Sequence, residues 1–314
     1  MIYPTVITDK AQTLLSHIPP RAAFEYRSSK VAVADLPGLV AEHRKEAAQH
    51  YTGKAKKFIS FSEIDSCSRK IAYSFFPEHF PPEDSGNVDV RDEAAVIGTV
   101  GHAALQKAAL AAGVVAFNGD KPLVEAWASD VAATREIKDA LWNTYGLSGK
   151  LDMVEMIPFE PRRYTELKFI KDKDYSFAQY WFKESKKTPG KINVPFWFKP
   201  GQAQLTMWAL GLDTTRFIVV SREGDWLKDA IELFYKRDEG LIHHLLNKAL
   251  YIHMRVDNAR DYLNPEFEPH LPILMSSVDD MLPIREPGED GKNCTYCPFK
   301  KHCLPEVENG PGAV

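Results

Sequence analysis

The densest polar pattern in the chain lies between residues 147 and 171, with Asp152 in "LSGKLDMVEMI" and Glu166 and Lys168 in "RRYTELKFIK". Both runs have strand-like patterning, and the Pro-bounded stretch "PFEPR" between them reads as the loop of a β-hairpin. Glu166 and Lys168 are two residues apart, so the pleat points both side chains to one face. With Asp152 on the neighbouring strand, Asp-x(13)-Glu-x-Lys becomes one cluster. Two carboxylates on adjacent strands can hold a hard divalent cation such as Mg²⁺. A lysine beside them can hold or polarise a metal-bound water, and the set suits phosphodiester hydrolysis. Taken alone, a Glu-x-Lys pair, which any strand offers by chance, reads first as a surface ion pair.

The cysteines form a second constellation. Cys294, Cys297 and Cys303 follow a C-x2-C-x5-C spacing near the C-terminus, and Cys67 lies far upstream. Four thiolates are enough for a tetrahedral zinc or a Cys₄ iron–sulfur cluster. Four cysteines in 314 residues are too sparse for a disulfide scaffold. A redox C-x-x-C would need a βαβ context that "NCTYCPF" lacks. Joining Cys67 to 294–303 would clasp the two ends of a long loop, so the centre reads as structural.

These residues need elements to position them. Residues 1–57 read as an N-terminal arm with two short helical patterns. In "FISFSEIDSCSRKIAYSFF" (58–76), Ser62 is a plausible N-cap and Cys67 falls on a short helix. A polar linker over 83–92 leads into a helix, "EAAVIGTVGHAALQKAALAAG", with His102 near its middle. Further helices are expected around 124–143, over 199–212 and across "EGLIHHLLNKALYIHMRVDNARDYL", with strands in "TRFIVVSR" and "DAIELFYKR". Residues 304–314 read as a flexible tail. The order predicts an α/β domain with a central mixed sheet flanked by helices. No apolar run reaches membrane-spanning length and the N-terminus has no signal-peptide pattern, so a soluble, cytoplasmic protein with no membrane partner is expected. The formal charge of −4 gives no global sign of nucleic-acid binding but says nothing of a local groove.

In this order the motifs resemble a known superfamily. Asp152 with Glu166-Leu167-Lys168 matches the D…(D/E)-x-K core of the PD-(D/E)XK nucleases, and "IGTVGHAALQ" resembles the G-x-x-x-H-x-x-L-(Q/E) motif of their RecB-like branch. "QLTMWALGL" resembles the Q-x-x-x-Y motif that follows, with Trp208 in place of tyrosine. "SFSEIDSCSRK" and "CTYCPFKKHC" resemble the cysteine segments of the iron–sulfur subset, which includes CRISPR-associated exonucleases of the Cas-four type, AddB subunits and phage exonucleases.

The resemblance covers roughly three quarters of the chain, and implies a restriction-endonuclease-like nuclease domain over 58–303 with a helical region clasped by the four-cysteine cluster. It implies a metal-dependent DNA exonuclease using Mg²⁺ or Mn²⁺. His102, Asp152, Glu166 and the Leu167 backbone carbonyl would be metal ligands. Lys168 would orient the attacking water, and Gln204 and Trp208 would line the site. A [4Fe-4S] cluster on Cys67, Cys294, Cys297 and Cys303 is implied, with Zn²⁺ the alternative. Single-stranded or frayed DNA ends would be the substrate, in a bacterial, archaeal or phage-infected cell, with possible protein partners in replication, recombination or CRISPR adaptation. The rival from another class is a non-catalytic DNA-end-binding or assembly subunit that retains the fold.

Residues 168–191 hold seven lysines against three acids, interleaved with six aromatics. Lysines track phosphates and aromatics stack on bases, which makes Lys171, Lys173 and Tyr175 candidates for DNA contact. Arg69 and the Lys300-Lys301-His302 run extend the basic set. A solvated segment with one side packed on the core explains the same residues.

Overall fold

The computed structural model describes residues 6–7, 56–80, 88–187, 198–222, 230–263, 282–283 and 297–303. The rest of the expected arm, the 304–314 tail and Cys294 lie outside these residues. In chain order the strands are β1 (Val6–Ile7), β2 (Ile59–Ser60), β3 (Phe117–Asn118), β4 (Lys121–Pro122), β5 (Leu147–Ser148), β6 (Met153–Glu155), β7 (Arg163–Ile170), β8 (Thr214–Ser221) and β9 (Ile231–Lys236). The helices are α1 (Ser68–Tyr73), α2 (Val88–Ala111), α3 (Arg135–Asp139), α4 (Asp172–Lys187), α5 (Pro200–Leu210), α6 (Glu239–Leu263) and α7 (Lys300–Cys303).

The main sheet has the order β1-β9-β8-β7-β6. It is mixed, as expected: β6 and β7 form the antiparallel hairpin, and β7 runs parallel to β8. Residues of β7 are buried along almost its whole length, as a strand covered on both faces must be. On one face Leu167, Phe169, Ile218 and Val220 pack against Leu105, Ala108 and Ala109 of α2. On the other, Phe217, Val219 and Leu233 pack against α4 and α5 through Tyr175, Trp181, Ala203 and Met207. Farther along the α2 face, the buried Arg216 ties β8 to β6 through Glu155, with Nε to the two carboxylate oxygens at 3.1 and 2.9 Å. Such a pair is costly to break, because removing one partner leaves the other charge buried.

The long α6 matches its sequence pattern. Ile242, Leu245, Leu246, Ala249, Ile252, Val256 and Ala259 are all buried, the i, i+3, i+4 stripe of a helix laid on a core. Asp238 caps its start, accepting from the N–H of Leu241 at 3.0 Å. α5 is buried nearly all round, ends on Gly211 in a left-handed conformation, and is capped at its start by Asp65, which accepts from the N–H groups of Gly201 at 3.0 Å and Gln202 at 3.4 Å.

Three expectations change. The expected 83–92 linker is already helical from Val88, so α2 starts earlier than its alanine-rich stretch. Cys67 is the N-cap of α1 rather than a residue inside it, and Ser60, not Ser62, caps the single 3₁₀ turn before it. The helix expected around 124–143 is reduced to a 3₁₀ turn over Ala128–Asp130, α3 and a π turn over 140–144. Its first part is extended instead, with Val124 bridging Met153 and Trp127 bridging Lys150. Tertiary pairing has overridden local propensity there, and it delivers Glu125 to the hairpin.

Candidate active site

β7 extends beyond its hairpin partner. The last pair toward the site is Met153 with Thr165, so farther along β7 a backbone donor needs another acceptor. The carboxylate of Asp152, which directly precedes β6, fills that place by accepting from the N–H of Leu167 at 2.7 Å. That bond fixes the carboxylate beside Glu166 and Lys168.

His102 arrives from α2, with Nδ1 3.6 Å from Asp152 Oδ1. Its ring packs on Phe169 at a centroid distance of 5.6 Å. The preceding residue, Gly101, has no room for a side chain, since a Cβ would come within 2.5 Å of the same phenyl ring. Burial lowers the His102 pKa, against the opposing pull of Glu166, which favours the neutral imidazole that ligates metals.

Glu166 is 2% exposed and fully engaged. Lys168 donates to Oε1, the Tyr164 hydroxyl to Oε2, and Gln202 Nε2 to Oε2 at 3.1 Å. Burial pushes Glu166 up to about 7, against the pull of Lys168, and pushes Asp152 up to about 6. Burial acts to lower Lys168, but Glu166 and Asp152 outweigh it and hold the pKa above the ordinary lysine value. Lys168 is therefore an ammonium, able to donate but not to take a proton.

Two residues that the sequence motifs do not mark join this set. Glu125, in a left-handed conformation (φ 51°), accepts from Gln106 at 2.8 Å and pairs with Lys150 at 2.7 Å. Gln106 also donates to the Asp152 carbonyl at 2.9 Å. Burial acts to raise Glu125, but Lys150 and Gln106 prevail and hold its pKa low. One ligand atom each from His102, Glu125 and Asp152 lie within 4.8 Å of one another. Gln202 is the second addition, and its signal was only its position two residues before Gln204.

Gln204 itself is elsewhere. Its amide donates to the Lys236 carbonyl at 2.7 Å and accepts from the Asp238 N–H at 2.8 Å, bracing the turn from β9 into α6. Trp208 stacks edge-on against Tyr145 at 5.9 Å. Arg69 is buried and donates to the Pro283 carbonyl at 2.7 Å, and Tyr175 is in the core under α4. Of these four, Gln204, Arg69 and Tyr175 are buried and Trp208 is half-buried. Lys171 and Lys173 are exposed, as are Phe177 at 48% and Tyr180 at 59%.

Cys67, Cys297 and Cys303 are not in disulfides. Cys297 and Cys303 pack on the same apolar cluster as Ile71 and Tyr73 of α1, and Phe299 lies 5.4 Å from Tyr73, centroid to centroid. Burial raises the Cys297 thiol pKa, and Cys67 and Cys303 act in the same sense. Among the described residues the thiols are not gathered within 4.8 Å of one another.

The fold is mixed α/β, and His102, Glu125 and Asp152 form a carboxylate–histidine group that could hold a metal ion. No family model matches the chain, and no curated protein matches it. Solved structures similar to it include LHK-Exo in complex with dAMP, with TM-score 0.40 and 14% identity over 67% of this chain and 91% of that one. SSO0001 is similar with TM-score 0.38 and 12% identity, over 69% and 85% of the two chains. A further structure, of the alkaline exonuclease LHK-Exo from Laribacter hongkongensis, has TM-score 0.31 and 14% identity, over 70% and 95%. Among the described residues, no helix is long and apolar enough to cross a membrane.

Proposed function

We propose that the chain is a metal-dependent deoxyribonuclease of the PD-(D/E)XK type, acting as an exonuclease on single-stranded or frayed DNA ends. The observation that carries this reading is the meeting of Asp152, Glu166 and Lys168 from one hairpin with His102 from α2. The donors fit Mg²⁺ or Mn²⁺: carboxylate oxygens, an imidazole and the nearby Leu167 carbonyl are hard or borderline ligands. His102, Asp152, Glu166 and the Leu167 carbonyl would hold the ion, with Glu125 as an additional carboxylate. When bound, the ion would stabilise charge on phosphate oxygens and acidify a water.

The chain's own groups do the rest. Tyr164 and Gln202 fix the Glu166 carboxylate from one side while Lys168 bonds its other oxygen. Lys168, held as an ammonium, orients the attacking water. Hydrolysis forms a P–O bond to that water and breaks the bridging P–O bond. The water loses one proton to solvent and the departing sugar oxygen gains one. Lys171 and Lys173, with Phe177 and Tyr180 on the exposed side of α4, would follow the strand by phosphate contact and stacking. The finer assignment to the iron–sulfur subset rests on the cysteine spacing, supported by the packing of the 297–303 segment on α1.

The test is degradation of end-labelled single-stranded and duplex DNA with Mg²⁺, Mn²⁺ or EDTA. Wild type is expected to release label only with metal, and Glu166→Gln to lose at least ~10²-fold in rate while still binding DNA. Equal cleavage by both proteins would overturn the assignment. DNA binding by wild type with no cleavage under any metal would favour the end-binding subunit.

A further inference from the structure

Lys199 has no role in the site as described so far. Its backbone is left-handed (φ 31°, ψ 66°), although it carries a side chain and precedes Pro200, where extended backbone is favoured. A conformation of that kind persists only where the surroundings impose it. Here they do so from both sides. Phe198 is fully buried and stacked on Phe217 at 4.3 Å. Pro200 begins α5, and Gly201 is locked to Asp65, with a Cβ there falling 2.5 Å from Oδ1 and 2.9 Å from Ile64 Cγ2. Lys199 sits directly between these two anchors, which hold its backbone.

The Lys199 side chain is half-buried and has no hydrogen bond or ion pair with a described residue. It lies within electrostatic reach of Lys168, Glu166, Asp65 and Lys70. Burial, then the charge of Lys168, lower its pKa, against the opposing pull of Glu166 and Asp65. A backbone imposed in an unfavourable state, presenting a cation at the start of the helix whose Gln202, one turn on, bonds Glu166 at 3.1 Å, is an arrangement an anion completes. The anion that reaches Glu166 and Lys168 during the proposed reaction is the phosphodiester itself.

We propose that Lys199 is a catalytic residue that donates to a nonbridging oxygen of the scissile phosphate, leaving Lys168 to the water. The inference rests on the nuclease reading above. As the water–phosphorus bond forms and the bridging bond breaks, its electron pair leaves on the sugar oxygen, which takes a proton, and the water yields one to solvent. Lys199 gives up no proton and stabilises the charge carried by the nonbridging oxygens through that change.

The backbone supplies the test. Lys199→Gly removes the ammonium and permits the left-handed conformation without steric cost, so the variant should be inactive yet no less stable. Turnover at saturating single-stranded DNA with Mn²⁺ is expected to fall about 10²-fold, with the melting temperature equal to or above wild type and the Mn²⁺-induced rise in melting temperature intact. Lys199→Arg should keep more activity than Lys199→Gln. Wild-type turnover in Lys199→Gly overturns the proposal and leaves the nuclease reading standing, as does a loss of activity that follows a loss of stability or of the Mn²⁺ response. Absence of cleavage by wild type removes both.

Discussion

Glu166 has three donors on two oxygens and is nevertheless raised to about 7. The cause is burial, and a metal held here as proposed would have to displace the protons that burial favours. A carboxylate whose folded pKa lies above its ordinary 4.5 contributes stability that is complete below the unfolded value and lost as pH rises through the folded one. Metal-free protein should therefore lose stability between about pH 4.5 and 7. A divalent cation binds the deprotonated form, so its stabilising effect has the opposite slope. The rise in melting temperature on adding Mg²⁺ should be small at pH 5 and grow through pH 6–7, following Asp152 and Glu166. An Mg²⁺ response independent of pH across that range would mean that these two carboxylates are not ligands. The same scale explains the exchange of Gln204 for Gln202. Two residues apart on a helix lie on different faces, and only the packing of α5 decided which one met Glu166.

At the scale of elements, the site depends on how closely α2 approaches β7. His102 is aimed by the contact of its ring with Phe169, and Gly101 permits that contact by presenting no side chain to the same ring. Gly101→Ala should destabilise the protein by about 1–3 kcal/mol, the usual cost of overpacking a filled core, even though alanine is the better helix former. Combining it with Phe169→Leu should recover part of that loss, measured by urea denaturation. Additive losses in the double variant would mean that the two residues are not in conflict. Gly98 makes a useful control, because open space surrounds its missing side chain and Gly98→Ala should be neutral or stabilising. The hairpin contributes in another way. Its short first strand leaves the Leu167 N–H to Asp152, so strand length itself places the first carboxylate.

At the scale of the whole molecule, residues distant in sequence are tied together around α1. Arg69 and Arg255 donate to the carbonyls of Pro283 and Leu282, at 2.7 and 3.0 Å, and the 297–303 segment packs its Phe299 and His302 rings near Tyr73. A cluster held by Cys67, Cys294, Cys297 and Cys303 would complete this closure covalently. Protein purified without oxygen is expected to be brown and to carry close to four irons per chain for a [4Fe-4S] centre. Cys67→Ser should lose the iron and lower the melting temperature, whereas colourless protein with one zinc would establish the alternative.

Much of this was legible in the sequence. Alternation and turn residues are local, so the hairpin, the pairing of Glu166 with Lys168 on one face, and helices α5 and α6 could be read directly. Asp152 was read with the hairpin and His102 followed from the resemblance, and the structure brings them together. Other assignments depended on contacts that no spacing encodes. Glu125 enters because its segment bridges to residues 150–153 instead of forming the expected helix. Tyr175, Arg69 and Trp208 look like surface recognition residues by type, yet each is drawn inward by packing or a distant carbonyl. Lys199 is one lysine among many in the sequence, and only the left-handed backbone between two anchored neighbours marks it out. Sequence specifies what local sterics and periodicity can enforce, while burial and cross-chain pairing, which set charge states and select the residues that meet, exist only after the chain has folded.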